Sequence, residues 1–205
     1  MNQAEKVASH IRKLGFAIVS PTGYGHMGAT LTDAVLQAGV TWKTTVLPRA
    51  ERVRTNYPNA STTSGFARLV VELGPEAVLD WHGRKPRMLL ELLVVLLQHN
   101  IETEDQLPTW LEQPANRELL RQIKGIKDKT ANYLARDVAV DRHLFDFVAE
   151  AGAPTDRFSE AHQIIRDAAE LLGIEPATLD YSIWLYMSER AARASVKRCK
   201  TRQGR

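Results

Sequence analysis

Cysteine is nearly absent from this chain, with one residue, Cys199, in 205. A disulfide within the chain is thereby excluded, and so is any four-cysteine zinc or iron–sulfur site. Long apolar runs are missing as well. No stretch approaches the roughly 20 consecutive apolar residues of a membrane-spanning helix. Gly15–Val19 is too short to be the core of a secretory signal. The expectation is a soluble protein, cytoplasmic and without a membrane partner. Strand-like alternation of apolar and polar residues is almost nowhere found. The histidines show no metal-ligand spacing, and the charge excess is small, +3. That basic bias permits an anionic partner without demanding one.

What is present is helical periodicity. Apolar residues make up 44% of the chain, enough for a core in one large domain or two small lobes. Residues 3–14 read as a helix ending at Gly15, and a turn-rich link from Ser20 to His26 leads into a helix near 28–38. Trp42 to Asn56 reads as the next, then shorter helices at 63–72 and 75–81. Met88–Gln98 is the most apolar, and Thr103 with Gln106 gives a capping-box start to a short helix that stops before Pro114. Helices at 142–150, 159–172 and 176–190 complete an all-α fold. The tail 191–205 is basic throughout, either a solvated end or a phosphate-contacting arm.

The pattern centres on Leu120–Leu134. Leu119, Leu120 and Ile123 close one helix, and Gly125 is its stop, a residue free to take positive φ. Asp128 then opens a second helix, where a carboxylate suits the dipole. Ala131, Tyr133, Leu134 and Val138 form its apolar side. N–H groups of its first turn offer a phosphate seat, ringed by Lys124, Lys127 and Lys129. Val140-Asp-Arg-His143 follows, with Asp141 at an N-cap position.

This stretch resembles the helix-hairpin-helix of the base-excision DNA glycosylases, the HhH-GPD superfamily of endonuclease III, adenine glycosylases and 8-oxoguanine glycosylase/lyases. Three more segments extend the likeness. Thr32–Pro58 is similar to the early helix of the adenine glycosylases, Leu73–Leu90 to the segment before the hairpin, and Leu179–Tyr186 to the closing helix of the 8-oxoguanine enzymes. The resemblance implies two helical lobes with a DNA-binding cleft, formed by residues 1–190. The middle lobe would span about 28–125 and the second 1–27 with 126–190. It implies a monomer bound to double-stranded DNA, without an iron–sulfur cluster or other cofactor, a hairpin-bound monovalent cation aside.

The implied activity is excision of a damaged or modified base, since the base must leave the stack before its glycosidic bond is cut. By resemblance Lys129 matches the Schiff-base lysine of the bifunctional members, which adds an AP-lyase step. Asp141 matches the aspartate that stabilises oxocarbenium character at the sugar. Asp33 stands where the adenine glycosylases carry the glutamate that protonates the leaving base. Gln37 matches the residue facing the vacated stack. Lys124, Gly125, Lys127, Thr130, Arg142 and His143 would contact DNA, and Tyr24, His26 and Trp42 would line the base pocket.

Each residue keeps a plainer alternative. Lys129 suits a phosphate contact, Asp141 an N-cap, Asp33 a dipole-stabilising carboxylate, Gln37 an exposed helix position, and the aromatic residues a core. Two departures stand out. The twelve steps from Lys129 to Asp141 are fewer than the family has, and Lys127 replaces the hairpin's usual second glycine. The alternatives in function are a noncatalytic helix-hairpin-helix protein that binds DNA or recognises lesions, and a glycosylase specialised for hypermodified, for instance viral, bases.

Overall fold

The computed structural model describes the backbone of residues 1–203, with side chains through Ala191 and at Arg193. Helix accounts for 70% of the chain, and the described residues include no strand. The helices are α1 (Gln3–Leu14), α2 (Met27–Leu36), α3 (Leu47–Asn56), α4 (Thr63–Leu73), α5 (Pro75–Leu79) and α6 (Arg84–Gln98). Then come α7 (Gln106–Leu111), α8 (Pro114–Gln122), α9 (Asp128–Leu134), α10 (Arg142–Glu150), α11 (Phe158–Leu172) and α12 (Pro176–Gln203). No helix among the described residues is long and apolar enough to cross a membrane.

The chain divides into two compact units. One joins Met1–Pro21 to Asp137–Arg205, and the other is Thr22–Arg136. The division therefore falls after Arg136, not inside the hairpin at Gly125, because Ile126, Leu134 and Ala135 are buried in the same core as Leu120 and Ile123.

In the discontinuous unit, α1 lays Ala4, Val7, Ala8 and Ile11 against α11 and is capped reciprocally by Asn2 and Glu5. Phe147 at the centre meets Phe16 and Tyr186 edge-on. In the continuous unit, α2 is buried along its whole length. Around it pack Phe66 of α4, Leu89, Leu92 and Leu96 of α6, and Leu120 of α8. A helix buried on every side carries little polar area, so an acid within it is exceptional.

Three local differences from the expected pattern have simple causes. The apolar helix begins at Arg84, four residues earlier than Met88, because Pro86 sits in a first turn that needs no N–H from it. The expected helix 42–56 opens instead with a π-helical turn, Trp42–Val46, closed by Leu47 N–H donating to Trp42 O. Pro48 cannot donate, which removes one ordinary helical bond at that junction. The capping box at Thr103 is half formed. Gln106 Oε1 accepts from the backbone of Glu102 (2.7 Å) and Thr103 (3.0 Å), while α7 has no side-chain cap.

Candidate functional site

Asp33 lies in mid-α2 and is 1% exposed. Its Oδ2 accepts two hydrogen bonds, from the Tyr24 hydroxyl at 2.6 Å and the Trp42 indole N–H at 2.8 Å. The other oxygen, Oδ1, is buried and has no hydrogen-bond partner among the described residues. Burial raises the carboxyl above the usual range, against the opposing pull of Tyr24, Trp42, Tyr133 and the Lys129 charge. Burial and the nearby Asp33 likewise push the Tyr24 phenol far up, so it stays a donor. An indole N–H can only donate. Oδ2 is therefore committed as an acceptor, and a proton held by Asp33 resides on Oδ1. Tyr24, Trp42 and Asp33, expected separately, form one hydrogen-bonded group. Asp33 is too far into the helix and too buried to serve as an ordinary dipole-stabilising carboxylate.

The loop carrying Tyr24 is fixed from below. His26 is the N-cap of α2, with Nδ1 accepting from Ala29 N–H (3.2 Å) and Nε2 donating to Tyr57 O (3.0 Å). Both ring nitrogens are spent on backbone and the ring is 5% exposed, so His26 is a cap and not a pocket wall. Buried Glu104 accepts from His26 N–H (3.4 Å) and from the Arg136 guanidinium (3.2 Å). A β-carbon on Gly23 would overlap the Glu104 carboxyl, so a larger residue there would displace the Glu104–Arg136 pair. Periodicity gave no sign of this pin, whose partners are far apart in sequence.

The other end of α2 is held by Lys85, whose ammonium donates to Leu36 O and to Ala38 O (2.9 Å) and lies 4.7 Å over the Trp81 ring. Burial lowers its pKa. The same turn contains Gln37, half-buried, with its amide nitrogen buried and unpartnered among the described residues.

The hairpin has the expected turn. Gly125 takes φ 113, and a β-carbon there would come within 2.8 Å of Met88 Sδ. Lys127 needs no glycine geometry, because it is the N-cap of α9 in extended conformation (φ −128, ψ −176). Ile123 and Ile126 anchor the turn in the core, leaving Lys124, Gly125 and Lys127 exposed. Lys129 is half-buried on α9. Thr130 is a correction. It is 4% exposed, so its side chain is turned into the protein and offers no hydroxyl to a DNA backbone. Arg121 spans the turn to Asp128 at 2.7 Å.

Asp141, Arg142 and His143 belong to the discontinuous unit. Asp141 caps α10, with Oδ1 accepting from His143 N–H (2.8 Å) and Leu144 N–H (3.3 Å). Arg142 is exposed and His143 half-buried. Nearby in sequence, Asp137 is a second buried acid that periodicity did not single out. Burial opposes its charge, but His162 at 3.4 Å, the Val138 N–H at 2.8 Å and Arg166 at 3.2 Å outweigh that and hold it well below the usual range. His162 and Arg166 are four apart on α11, which was the available signal.

In the tail, the backbone of α12 runs on to Gln203. The expectation of a phosphate-contacting arm there rests on side chains such as Lys197, Arg198, Lys200 and Arg202, which lie outside the described residues. Compared with protein-family models, curated proteins and solved structures, the chain matches none.

Proposed function

We propose that the chain is a DNA glycosylase that excises a damaged or modified base, with Asp33 as its proton donor. The observation that carries this reading is the Asp33 carboxyl. It is shut away from water, held on Oδ2 by Tyr24 and Trp42, raised by burial, and its buried Oδ1 has no geometric hydrogen-bond partner among the described residues. An acid raised by burial can hold a proton at neutral pH and pass it to a ring nitrogen or carbonyl of a departing base. The glycosidic C–N bond then breaks with its electron pair to the base. The positive charge left on the sugar is stabilised by a carboxylate, the role that the resemblance gives to Asp141. Water completes hydrolysis, or the Lys129 amine attacks C1′, loses its proton and adds the lyase step. The exposed Lys124 and Lys127 beside Gly125 supply a sequence-blind phosphate grip, and double-stranded DNA is the partner.

One observation favours the second reading, a noncatalytic DNA-binding module. Asp141 Oδ1 is already occupied by the α10 cap, which a structural role alone explains. Duplexes each carrying one damaged or modified base, treated with the protein and then alkali, separate the two. Strand breaks that vanish in Asp33→Asn support the glycosylase. Binding with no breaks on any duplex supports the module. Borohydride trapping that is lost in Lys129→Ala identifies the lyase amine.

A further inference from the structure

We propose that the chain self-associates through the outer face of α4 and α6, as a weak two-fold dimer. α6 is apolar on two sides. Leu89, Leu92 and Leu96 are fully buried in the core, yet Leu90, Val94 and Leu97 stand at i, i+4 and i+7 on another stripe and are 42%, 53% and 37% exposed. A helix with a single core to cover has no use for the second stripe. α4 beside it leaves Val71 86% exposed, and the two helices border a groove of about 440 Å3 lined by Ser64, Ala67, Arg68, Val71, Glu72 and Leu97. Exposed apolar side chains gathered on two neighbouring helices are the kind of surface that another molecule covers.

Charge on the rim selects the occupant. Arg68 and Glu72 lie one turn apart on α4, Glu102 adds a second acid beside Ser64 and Arg68, and on α6 Arg87 pairs with Glu91 at 2.8 Å, so the face carries both signs with no excess of cations. A nucleic acid or an anionic lipid surface asks for an excess of cations, and a basic or acidic peptide for an excess of one sign. A two-fold interface has another requirement: the patch must carry its own complement. With the two α4 helices antiparallel across the axis, Arg68 of each copy meets Glu72 of the other, and the Val71 side chains meet near the axis. Standard interfaces bury about 800 Å2 per partner. Four apolar side chains fall short of that, so the dimer dissociates in the range of tens of micromolar, on the order of a weak transient interface. This face contains none of the residues assigned to excision, so the inference stands apart from the glycosylase reading.

Sedimentation equilibrium of the full chain from about 1 to 500 µM, a range chosen to bracket that affinity, tests it. The weight-average mass should climb from monomer toward dimer. Val71→Glu and Val94→Glu should each hold it at the monomer with an unchanged helical circular-dichroism signal. Arg68→Glu should weaken association about tenfold or more, as expected for like charges placed opposite one another. Adding Glu72→Arg should restore it, which loss of packing alone would not do. A mass that stays monomeric throughout overturns the proposal, as does a dimer untouched by Val71→Glu and Val94→Glu together.

Discussion

The two units each bury an aspartate, and the two acids behave in opposite ways. Asp33 of the Thr22–Arg136 unit is 1% exposed and its carboxyl is raised, whereas the 9%-exposed Asp137 of the discontinuous unit is lowered. Burial by itself would raise both. What differs is the partners. Asp33 is held chiefly by neutral donors, the Tyr24 hydroxyl and the Trp42 indole, with Tyr133 and the Lys129 charge adding to them, and they do not outweigh its burial. Asp137 has a backbone N–H on one oxygen and the His162 ring and Arg166 guanidinium against the other. Neutral hydrogen bonds offset only part of the desolvation of a carboxylate, while a guanidinium adds direct charge stabilisation. A buried acid with charged partners is built for stability. One whose partners are chiefly neutral keeps its proton to higher pH.

The largest effect that would sharpen this contrast is on activity. Asp33→Asn keeps an acceptor for Tyr24 and Trp42 but removes the transferable proton, so excision should fall by roughly 100-fold or more in single-turnover assays. The same substitution should leave the urea midpoint unchanged or higher. A carboxyl raised in the fold imposes a penalty that sets in as pH rises above its unfolded value of about 4 and is complete above the folded pKa. Loss of stability in Asp33→Asn at pH 7 would break the contrast.

Asp137→Asn should do the reverse. Its lowered carboxyl contributes stability that is fully present above about pH 4 and is lost as pH falls through the folded value. Removing the charge should cost about 1–3 kcal/mol at pH 7, discounted because Arg166 is half exposed. Thermal melts should show a drop of roughly 2–10 °C. A flat acid limb in the wild-type stability curve would contradict the assignment.

Smaller again is Lys85→Met, which unpins the carbonyl end of α2. A loss of about 1 kcal/mol is expected in denaturant titrations, together with a change in Trp81 fluorescence as the cation leaves the ring. Smallest is Asp128→Asn in the hairpin. The Arg121–Asp128 pair is exposed, so the expected loss is roughly 0–0.5 kcal/mol, within the scatter of chemical denaturation. A loss above about 1 kcal/mol there would mean the turn depends on that brace, not on buried Ile123 and Ile126.

The residues that periodicity placed correctly are those whose roles are local. Gly15, Gly125 and the Asp141 cap depend on a few neighbouring dihedrals and N–H groups, which the adjacent sequence sets. The helix starts at Arg84 and after the π turn at Trp42 were harder, because a proline reads as a break unless its place in the first turn is already known. Thr130 stood among exposed lysines in the sequence, and its burial follows from which way α9 rolls onto the core. His26 looked like a pocket residue because its partner Tyr57 O is thirty-one residues away.

The sequence by itself determined that the chain is helical, where most helices stop, that no four-cysteine centre forms, and that a lysine-rich turn is exposed. These follow from side-chain spacing, capping chemistry and residue counts, which act over one or two turns. Tertiary structure alone decided that Tyr24 and Trp42 share one oxygen of Asp33, and that Glu104 and Arg136 pin the loop that brings Tyr24 there. It also decided that Asp33 and Asp137 have opposite proton affinities. Proton affinity depends on solvent exclusion and on charges gathered from distant segments, and neither exists until the helices pack.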